Sequence, residues 1–159
     1  MKNLIIASAI LVASCSANSQ AVKESAVPKP VVTSFQTNFA GAKAEKWEKE
    51  KDGNYEAEFD WKKIESSATF SADGKLLETE QEISTKELPA LVGNYVTKNY
   101  AGYKIAEAAK ITADGKVMYE AEVKKGKEGF DLIFDSAGNF IKKVVEAPEE
   151  EEDDDDDKK

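Results

Sequence analysis

One sequence pattern occurs twice in the middle of this chain, and it limits the folds that the chain can adopt. With Pro28 set on Pro89, a series of residues recurs in the same order, interrupted by one three-residue insertion. The matched pairs include Asn38 and Asn99, Phe39 and Tyr100, Gly41 and Gly102, Tyr55 and Tyr119, Phe70 and Phe134, and Gly74 and Gly138. We therefore predict two copies of one supersecondary unit, residues 27–84 and 85–145, packed side by side because one copy alone buries too little surface.

Each copy is predicted to open with a helix. Val32, Phe35 and Phe39 have helical spacing, and Gly41 is suited to end that helix. The apolar stripe of the second copy consists of Leu88, Leu91, Val92, Tyr95 and Val96. Residues 84–87 match a capping box, so we expect the second helix to start near Lys86.

Four strands are predicted to follow each helix. Tyr55, Ala57 and Phe59 alternate with acidic residues, as in a half-buried antiparallel strand, and residues 117–123 repeat this alternation. Further strands are predicted at residues 64–70 and 130–134, and weaker ones at 44–51, 75–83, 104–112 and 139–145. Asp-Gly pairs between them suit tight hairpins. The predicted fold class is α+β, with two tandem helix-plus-four-strand repeats forming an antiparallel sheet that carries its helices on one face.

The first residues have the pattern of an export signal. Lys2 precedes an apolar run at residues 4–13, which is too short to span a bilayer. Two processing sites remain open: a lipobox would remove residues 1–14 and lipidate Cys15, whereas ordinary signal peptidase would remove residues 1–21. Both predict export of a domain over residues 22–145, either as a lipoprotein of the periplasm or outer membrane, held to the membrane only by its lipid, or as a secreted protein.

The last segment, residues 146–159, is predicted to be a disordered acidic tail. It contains a run of nine acidic residues followed by two lysines, and such a run repels itself. One interpretation is a solvated tail that aids solubility. The other is loose binding of divalent cations, which gives the alternative function of a cation-responsive acidic protein.

The composition excludes several classes of function. The 159 residues include no histidine and one cysteine, and the net charge is -9. A Ser-His-Asp triad, a histidine-bound metal and an internal disulfide are therefore impossible. The acidic balance argues against binding to nucleic acid, and no phosphate-binding glycine loop is present. We predict that the chain is not an enzyme and uses no cofactor or metal.

Acidic residues of the alternating strands are the candidate binding residues. They should share the sheet face away from the helices, where lysines close in sequence predict a solvated surface with cross-strand charge pairs. A sheet face without helices is a natural docking surface for a protein partner. Trp47 could be an exposed interface anchor or could cap the core. The candidate partner-binding residues are Glu56, Glu58, Asp60, Glu120, Glu122 and Trp47.

Three strings in these copies are similar to a known family. Lys46-Trp47-Glu48-Lys49-Glu50, the string GNYEAEF at residues 53–59 and the string NYAGYKI at residues 99–105 resemble the PepSY-like, β-lactamase-inhibitor-like family of secreted bacterial proteins. The similarity covers nearly all of residues 27–145. It implies a layer of helices against a curved antiparallel sheet. It also implies a non-catalytic binding module that inhibits or regulates an envelope or extracellular protein such as a peptidase.

Overall fold

Residues 19–145 are described by a computed structural model of the chain. They form two helices, α1 (Lys29–Asn38) and α2 (Ala90–Asn99), and nine strands. The strands are β1 (Gln20–Ala21), β2 (Ala44–Lys49), β3 (Tyr55–Trp61), β4 (Ile64–Phe70), β5 (Leu76–Glu82), β6 (Lys104–Ala113), β7 (Lys116–Lys125), β8 (Glu128–Asp135) and β9 (Phe140–Val144). Cys15 and the acidic tail lie outside the described residues.

The nine strands form one antiparallel sheet in which spatial order follows chain order. β5 and β6 pair directly although α2 lies between them in the sequence, and Glu80 of β5 lies opposite Ile111 of β6. This pairing closes an edge that each half of the sheet would otherwise expose. The predicted α+β class with a continuous antiparallel sheet is therefore confirmed.

Both helices pack on the same face of the sheet, which the strand register allows us to trace. Side chains alternate between faces along a strand, and cross-strand partners share a face. On α1, Val31 and Phe35 are buried against this face, and on α2 Val92 and Val96 are buried against it. The residues that continue the face from β3 to β7 are Ala57, Ala68, Thr79, Thr112, Val117 and Ala121.

The start of α2 differs from the prediction. The capping box does form: the Glu87 carboxylate accepts a hydrogen bond of 2.8 Å from the Ser84 backbone N–H. It caps a single 3₁₀ turn, Thr85–Glu87, and α2 begins only at Ala90, after Pro89. The predicted start near Lys86 is wrong because proline fits the entry of an α-helix and not its interior. Leu91, which we expected in the apolar stripe, is 50% exposed.

The hairpin turns mostly occur where the sequence places glycine. Gly53 and Gly74 both have φ of +90°. The β3–β4 turn has no glycine, and its two residues Lys62 and Lys63 adopt φ of +55° and +68°. A two-residue hairpin favours positive φ at both positions, so here the short connection imposes it on lysine. The Nζ of Lys62 lies 4.0 Å from the centre of the Trp61 ring.

β1 lies before Val22, the first residue of the domain as predicted from the sequence. Gln20 and Ala21 pair with Lys49 and Glu48 of β2. The pairing continues as the Val22 N–H donates to the carbonyl of Trp47 at 2.8 Å. Residues 20–21 are thus part of the sheet.

Candidate functional site

The face of the sheet opposite the helices, here called the polar face, carries most of the acidic side chains of the strands. Strand alternation and register place them there. These acids are Glu48, Glu56, Glu58, Asp60, Glu65, Glu78, Glu80, Glu82, Glu107, Glu120, Glu122, Asp131 and Asp135. Both helices lie on the other side, so within residues 19–145 no helix covers this face.

The five acids predicted from the sequence all lie on the polar face, but not all of them lie in water. Asp60 is exposed, and Glu58, Glu120 and Glu122 are half-buried. Glu56 is only 4% exposed, so the expectation of a fully solvated row is wrong at this position.

Two of the predicted acids form charge pairs with lysines. The Nζ of Lys46 lies 3.2 Å from Glu58, across the β2–β3 ladder, and the Nζ of Lys124 lies 2.6 Å from Glu122 on the same strand. Exposed pairs of this kind contribute little to stability.

Trp47 belongs to the core and not to the polar face. It is 4% exposed, and its ring centre lies 5.5 Å from that of Phe35 in an edge-on contact. Its indole N–H has no hydrogen-bond partner in the structure. The expectation of a core cap is confirmed, and the alternative of an exposed anchor is wrong.

The centre of the polar face lies on β5 and was not predicted from the sequence. Glu80 is 1% exposed, and Glu78 and Asp131 are also buried. The spacing of Glu78, Glu80 and Glu82 at every second residue was a signal for one shared face. Thr79 and Gln81 between them are not apolar, so the pattern could not show that the acids are buried.

The burial of Glu80, on a face that no helix covers within residues 19–145, indicates that the sheet is curved. Glu56 on β3 and Asp131 on β8 both act on the charge of Glu80, although β8 is three strands away from β5. In a flat sheet three strand spacings amount to about 14 Å. A face whose distant strands converge on its centre is concave, so the polar face buries its own central side chains.

Burial raises the pKa of several of these carboxyl groups. Glu78 has a pKa of about 7, mainly because burial disfavours its charged form, with Glu50 adding repulsion and Lys142 opposing it. Burial raises the pKa of Glu80 well above 4.5, and the charges of Glu120, Glu78, Glu56 and Asp131 act in the same direction. Both shifts favour the protonated forms of Glu78 and Glu80 at the centre of the polar face.

The comparisons with known proteins agree with this architecture. Residues 14–77 and 54–142 match the model of a family described as "Putative beta-lactamase-inhibitor-like, PepSY-like". The chain belongs to this PepSY-like family. A comparison with curated proteins finds no match.

Solved structures share the fold of this PepSY-like protein at low sequence identity. A DUF2874 family protein from Bacteroides uniformis is 16% identical and has a TM-score of 0.63, with 73% of this chain and 87% of that one covered. A protein described as periplasmic from Bacteroides eggerthii is 15% identical, has a TM-score of 0.62 and covers 74% and 87%. A BLIP-like protein from Bacteroides fragilis is 20% identical, has a TM-score of 0.60 and covers 77% and 90%.

Apart from the polar face, the described part of this PepSY-like protein has an open cleft but no cluster of metal-ligating side chains. Between residues 19 and 145, no group of three or more Asp, Glu, His or Cys side chains is arranged to hold a metal ion. In the same range, no helix is long and apolar enough to cross a membrane. An open cleft of about 460 Å³ lies between β1 and β2, lined in part by Val22, Glu24, Glu45 and Trp47, and contains none of the buried carboxyl groups.

Proposed function

We propose that this PepSY-like protein is an exported, non-catalytic binding module that inhibits or regulates an envelope or extracellular protein, such as a peptidase. The observation that carries the proposal is the acid-rich concave face, which no helix covers within residues 19–145. Its outer part, where Asp60 is exposed and Glu58, Glu120 and Glu122 are half-buried, offers negative charge to a partner. The partner surface that suits this face is basic, because unlike charges steer association and exclude wrong partners.

The proposal of a non-catalytic role rests on the family and on the character of the face. The family description and the BLIP-like neighbour in B. fragilis both name inhibitor-like proteins. The two carboxyl groups with strongly raised pKa values, those of Glu78 and Glu80, are 6% and 1% exposed at the centre of the sheet. A general acid or base has to reach its substrate, and Glu80 is not accessible in this structure.

The test is affinity capture from the cell envelope with three forms of the mature protein as bait. The first is the wild type, and the second is Glu58→Gln combined with Asp60→Asn, which removes two charges from the polar face. The third is Glu24→Gln combined with Glu45→Gln, which removes two charges beside the β1–β2 cleft and serves as the matched control. A partner held by wild type and control but lost by the Glu58 and Asp60 variant supports the proposal. Equal capture by all three forms would place the binding surface elsewhere.

We further propose that the chain is built from two copies of one unit, residues 27–84 and 85–145. The strongest structural support is a close approach that recurs at matched positions. A Cβ added to Gly74 would lie 2.6 Å from the carbonyl oxygen of Pro30, at the start of α1. A Cβ added to Gly138 would lie 2.8 Å from the Cβ of Pro89, at the start of α2. In both cases a hairpin glycine packs against the proline-containing entry of its own helix.

Of the two processing sites, we propose the lipobox, with removal of residues 1–14 and lipidation of Cys15. Cleavage after Ala21 would delete β1 and the hydrogen bond of 2.8 Å between the Ser19 hydroxyl and Glu48. Cleavage before Cys15 retains both. Intact-mass analysis of the membrane fraction should find a chain that starts at lipidated Cys15, and Cys15→Ala should abolish that species. A mature chain starting at Val22 would rule out the lipid anchor but not export.

The alternative function, cation binding by the acidic tail, stays a proposal based on residues 149–159 alone. Nine acidic residues in succession attract divalent cations through charge density without a fixed coordination geometry. Calorimetry with Ca²⁺ on the full chain and on a chain truncated after Pro148 would test it. Heat of binding that disappears with the tail would favour this alternative, and equal heats from both chains would exclude it.

A further inference from the structure

A cluster of five carboxyl groups lies at the centre of the concave polar face. Glu78 and Glu80 come from β5, and the others come from β3, β7 and β8. Glu80 is 1% exposed, and Glu56, Glu78 and Asp131 are each 6% exposed or less. The Glu80 cluster, as we name it, consists of Glu56, Glu78, Glu80, Glu120 and Asp131.

The immediate neighbours of Glu80 provide no positive charge. Its cross-strand partners are Ser67 on β4 and Ile111 on β6. The charges that act most strongly on Glu80 are those of Glu120, Glu78, Glu56 and Asp131, and each of them is a carboxylate. One oxygen of Glu80, Oε2, is buried without a hydrogen-bond partner in the structure. At the edge of the cluster, the charge of Lys142 lowers the pKa of Glu78 and the carboxylate of Glu50 raises it.

Several acidic residues of the polar face, in the cluster and around it, lie directly opposite each other on neighbouring strands. Like charges in directly opposed positions destabilise a sheet when both are ionised. The register contains four such pairs: Glu48 with Glu56, Asp60 with Glu65, Glu107 with Glu122, and Glu122 with Asp131. The strand register therefore brings carboxyl groups into direct opposition at four positions on this face.

A buried, ionised carboxylate without a counter-charge costs several kcal/mol, so Glu80, whose Oε2 has no hydrogen-bond partner, needs a positive occupant. In residues 19–145 no set of acids has the arrangement that a metal ion requires. A basic side chain of a partner could not reach an oxygen that is closed off from solvent. A proton needs neither coordination geometry nor an entry path wider than water. We propose that the Glu80 cluster is a proton-binding site. When the cluster is protonated it stabilises the concave polar face, and the loss of its protons above neutral pH destabilises that face.

The direction of the pH effect follows from comparing the folded and unfolded chains. In the unfolded chain these carboxyl groups ionise near pH 4.5. In the folded chain the pKa of Glu78 is about 7, and the pKa of Glu80 is well above 4.5. Above pH 4.5 the folded state thus binds more protons than the unfolded state, so stability falls as pH rises. The loss continues until the folded-state groups ionise. The protein should be more stable at pH 5 than at pH 8.

The first experiment is thermal unfolding of the full chain at pH 5, 6, 7 and 8. We expect the Tm of the wild type to fall through this range. Glu80→Gln replaces the protonated carboxyl by a neutral group of similar shape, so its Tm should match the wild type near pH 5 and exceed it at pH 8. Glu24→Gln, at an exposed position away from the polar face, should follow the wild type at every pH. A Tm that rises from pH 5 to 8, or a Glu80→Gln curve parallel to the wild type, would overturn the proposal.

The second experiment does not depend on a variant that folds. Carbon-13 NMR of the wild-type side-chain carboxyl groups reports each ionisation directly. We expect the resonance of Glu78 to titrate near pH 7 and that of Glu80 to titrate well above pH 4.5. Midpoints near pH 4.5 for both would show that the cluster holds no protons at neutral pH and would refute the proposal. Because neither experiment involves a partner, failure of the proposed binding function would leave this result unaffected.

Discussion

Glu107 of β6 and Glu122 of β7 lie directly opposite each other on the polar face, so two carboxyl groups meet at a position where sheets favour unlike charges. Burial, together with the facing charge of Glu122, raises the pKa of Glu107. Lys124 opposes this shift and also pairs with Glu122 at 2.6 Å. One lysine is thus shared between two acids.

Glu107→Gln should stabilise the protein at pH 8 and have little effect at pH 5. The reason is that the folded-state pKa of Glu107 is raised, so the wild type loses stability as pH rises above the value at which the unfolded chain ionises. The gain should stay below about 1 kcal/mol, the usual range for one cross-strand pair. Urea unfolding at the two pH values measures it. If Glu107→Gln were less stable than the wild type at pH 8, the carboxylates of Glu107 and Glu122 would not repel each other in the folded protein.

Much of this architecture could be predicted because its signal is local. The alternation of Tyr55, Ala57 and Phe59 with acids specified a strand and its buried face, and the structure gives that strand as Tyr55–Trp61. The Asp-Gly pairs between predicted strands are also a local signal, because they favour tight hairpin turns. These signals depend on a few successive residues and on the period of a strand.

The buried state of Glu56 and Glu80 could not be predicted because it depends on the curvature of the whole sheet. Alternation states which face a residue occupies, but not whether that face is flat or concave. β5 has no apolar side chain between Glu78 and Glu82, so nothing local distinguishes its acids from solvated ones. The convergence of β3 and β8 on Glu80 is set by strands far apart in the sequence.

Lys142→Met should raise the pKa of Glu78 further above its present value of about 7. Lys142 is the charge that lowers the pKa of this group, against burial and the repulsion of Glu50. Without it the protonated form of Glu78 persists to higher pH. The midpoint of the Glu78 carbon-13 resonance measures the shift. Lys143→Met is the control, because Lys143 lies on the helix side, with its Nζ 3.4 Å from the centre of the Phe130 ring. An unchanged midpoint in the Lys142 variant would show that its charge is screened by water.

Phe59→Asp should unfold the entire sheet in one cooperative transition. Phe59 is 2% exposed and its ring lies 4.9 Å from Phe35 and 4.6 Å from Phe39. Loss of a buried phenylalanine costs about 3–5 kcal/mol, and a buried charge adds several more, which together approach the total stability of a typical domain.

Glu58→Ala is the matched change one residue away. It removes a half-exposed pair with Lys46 at 3.2 Å, which should cost about 1 kcal/mol or less. Denaturant melts followed by circular dichroism and by tryptophan fluorescence compare the two variants. If Phe59→Asp melted only the part of the sheet around Trp47 and Trp61 and left the rest folded, the two halves would be independent units.

Gly74→Ala should destabilise the protein more than Gly53→Ala, although both residues have φ of +90°. The left-handed backbone costs any other residue about 1–2 kcal/mol, and this cost is common to both changes. At Gly53 a Cβ meets nothing within 4 Å, whereas at Gly74 it would lie 2.6 Å from the backbone oxygen of Pro30. Backbone cannot rotate aside as a flexible side chain can, so the start of α1 must shift from the sheet. Urea unfolding gives the loss in free energy of unfolding for each variant. The difference between the two losses measures the effect of the contact between residue 74 and Pro30. Equal losses would show that the entry of α1 moves freely, and that the approach of Gly74 to Pro30 does not fix the helix on the sheet.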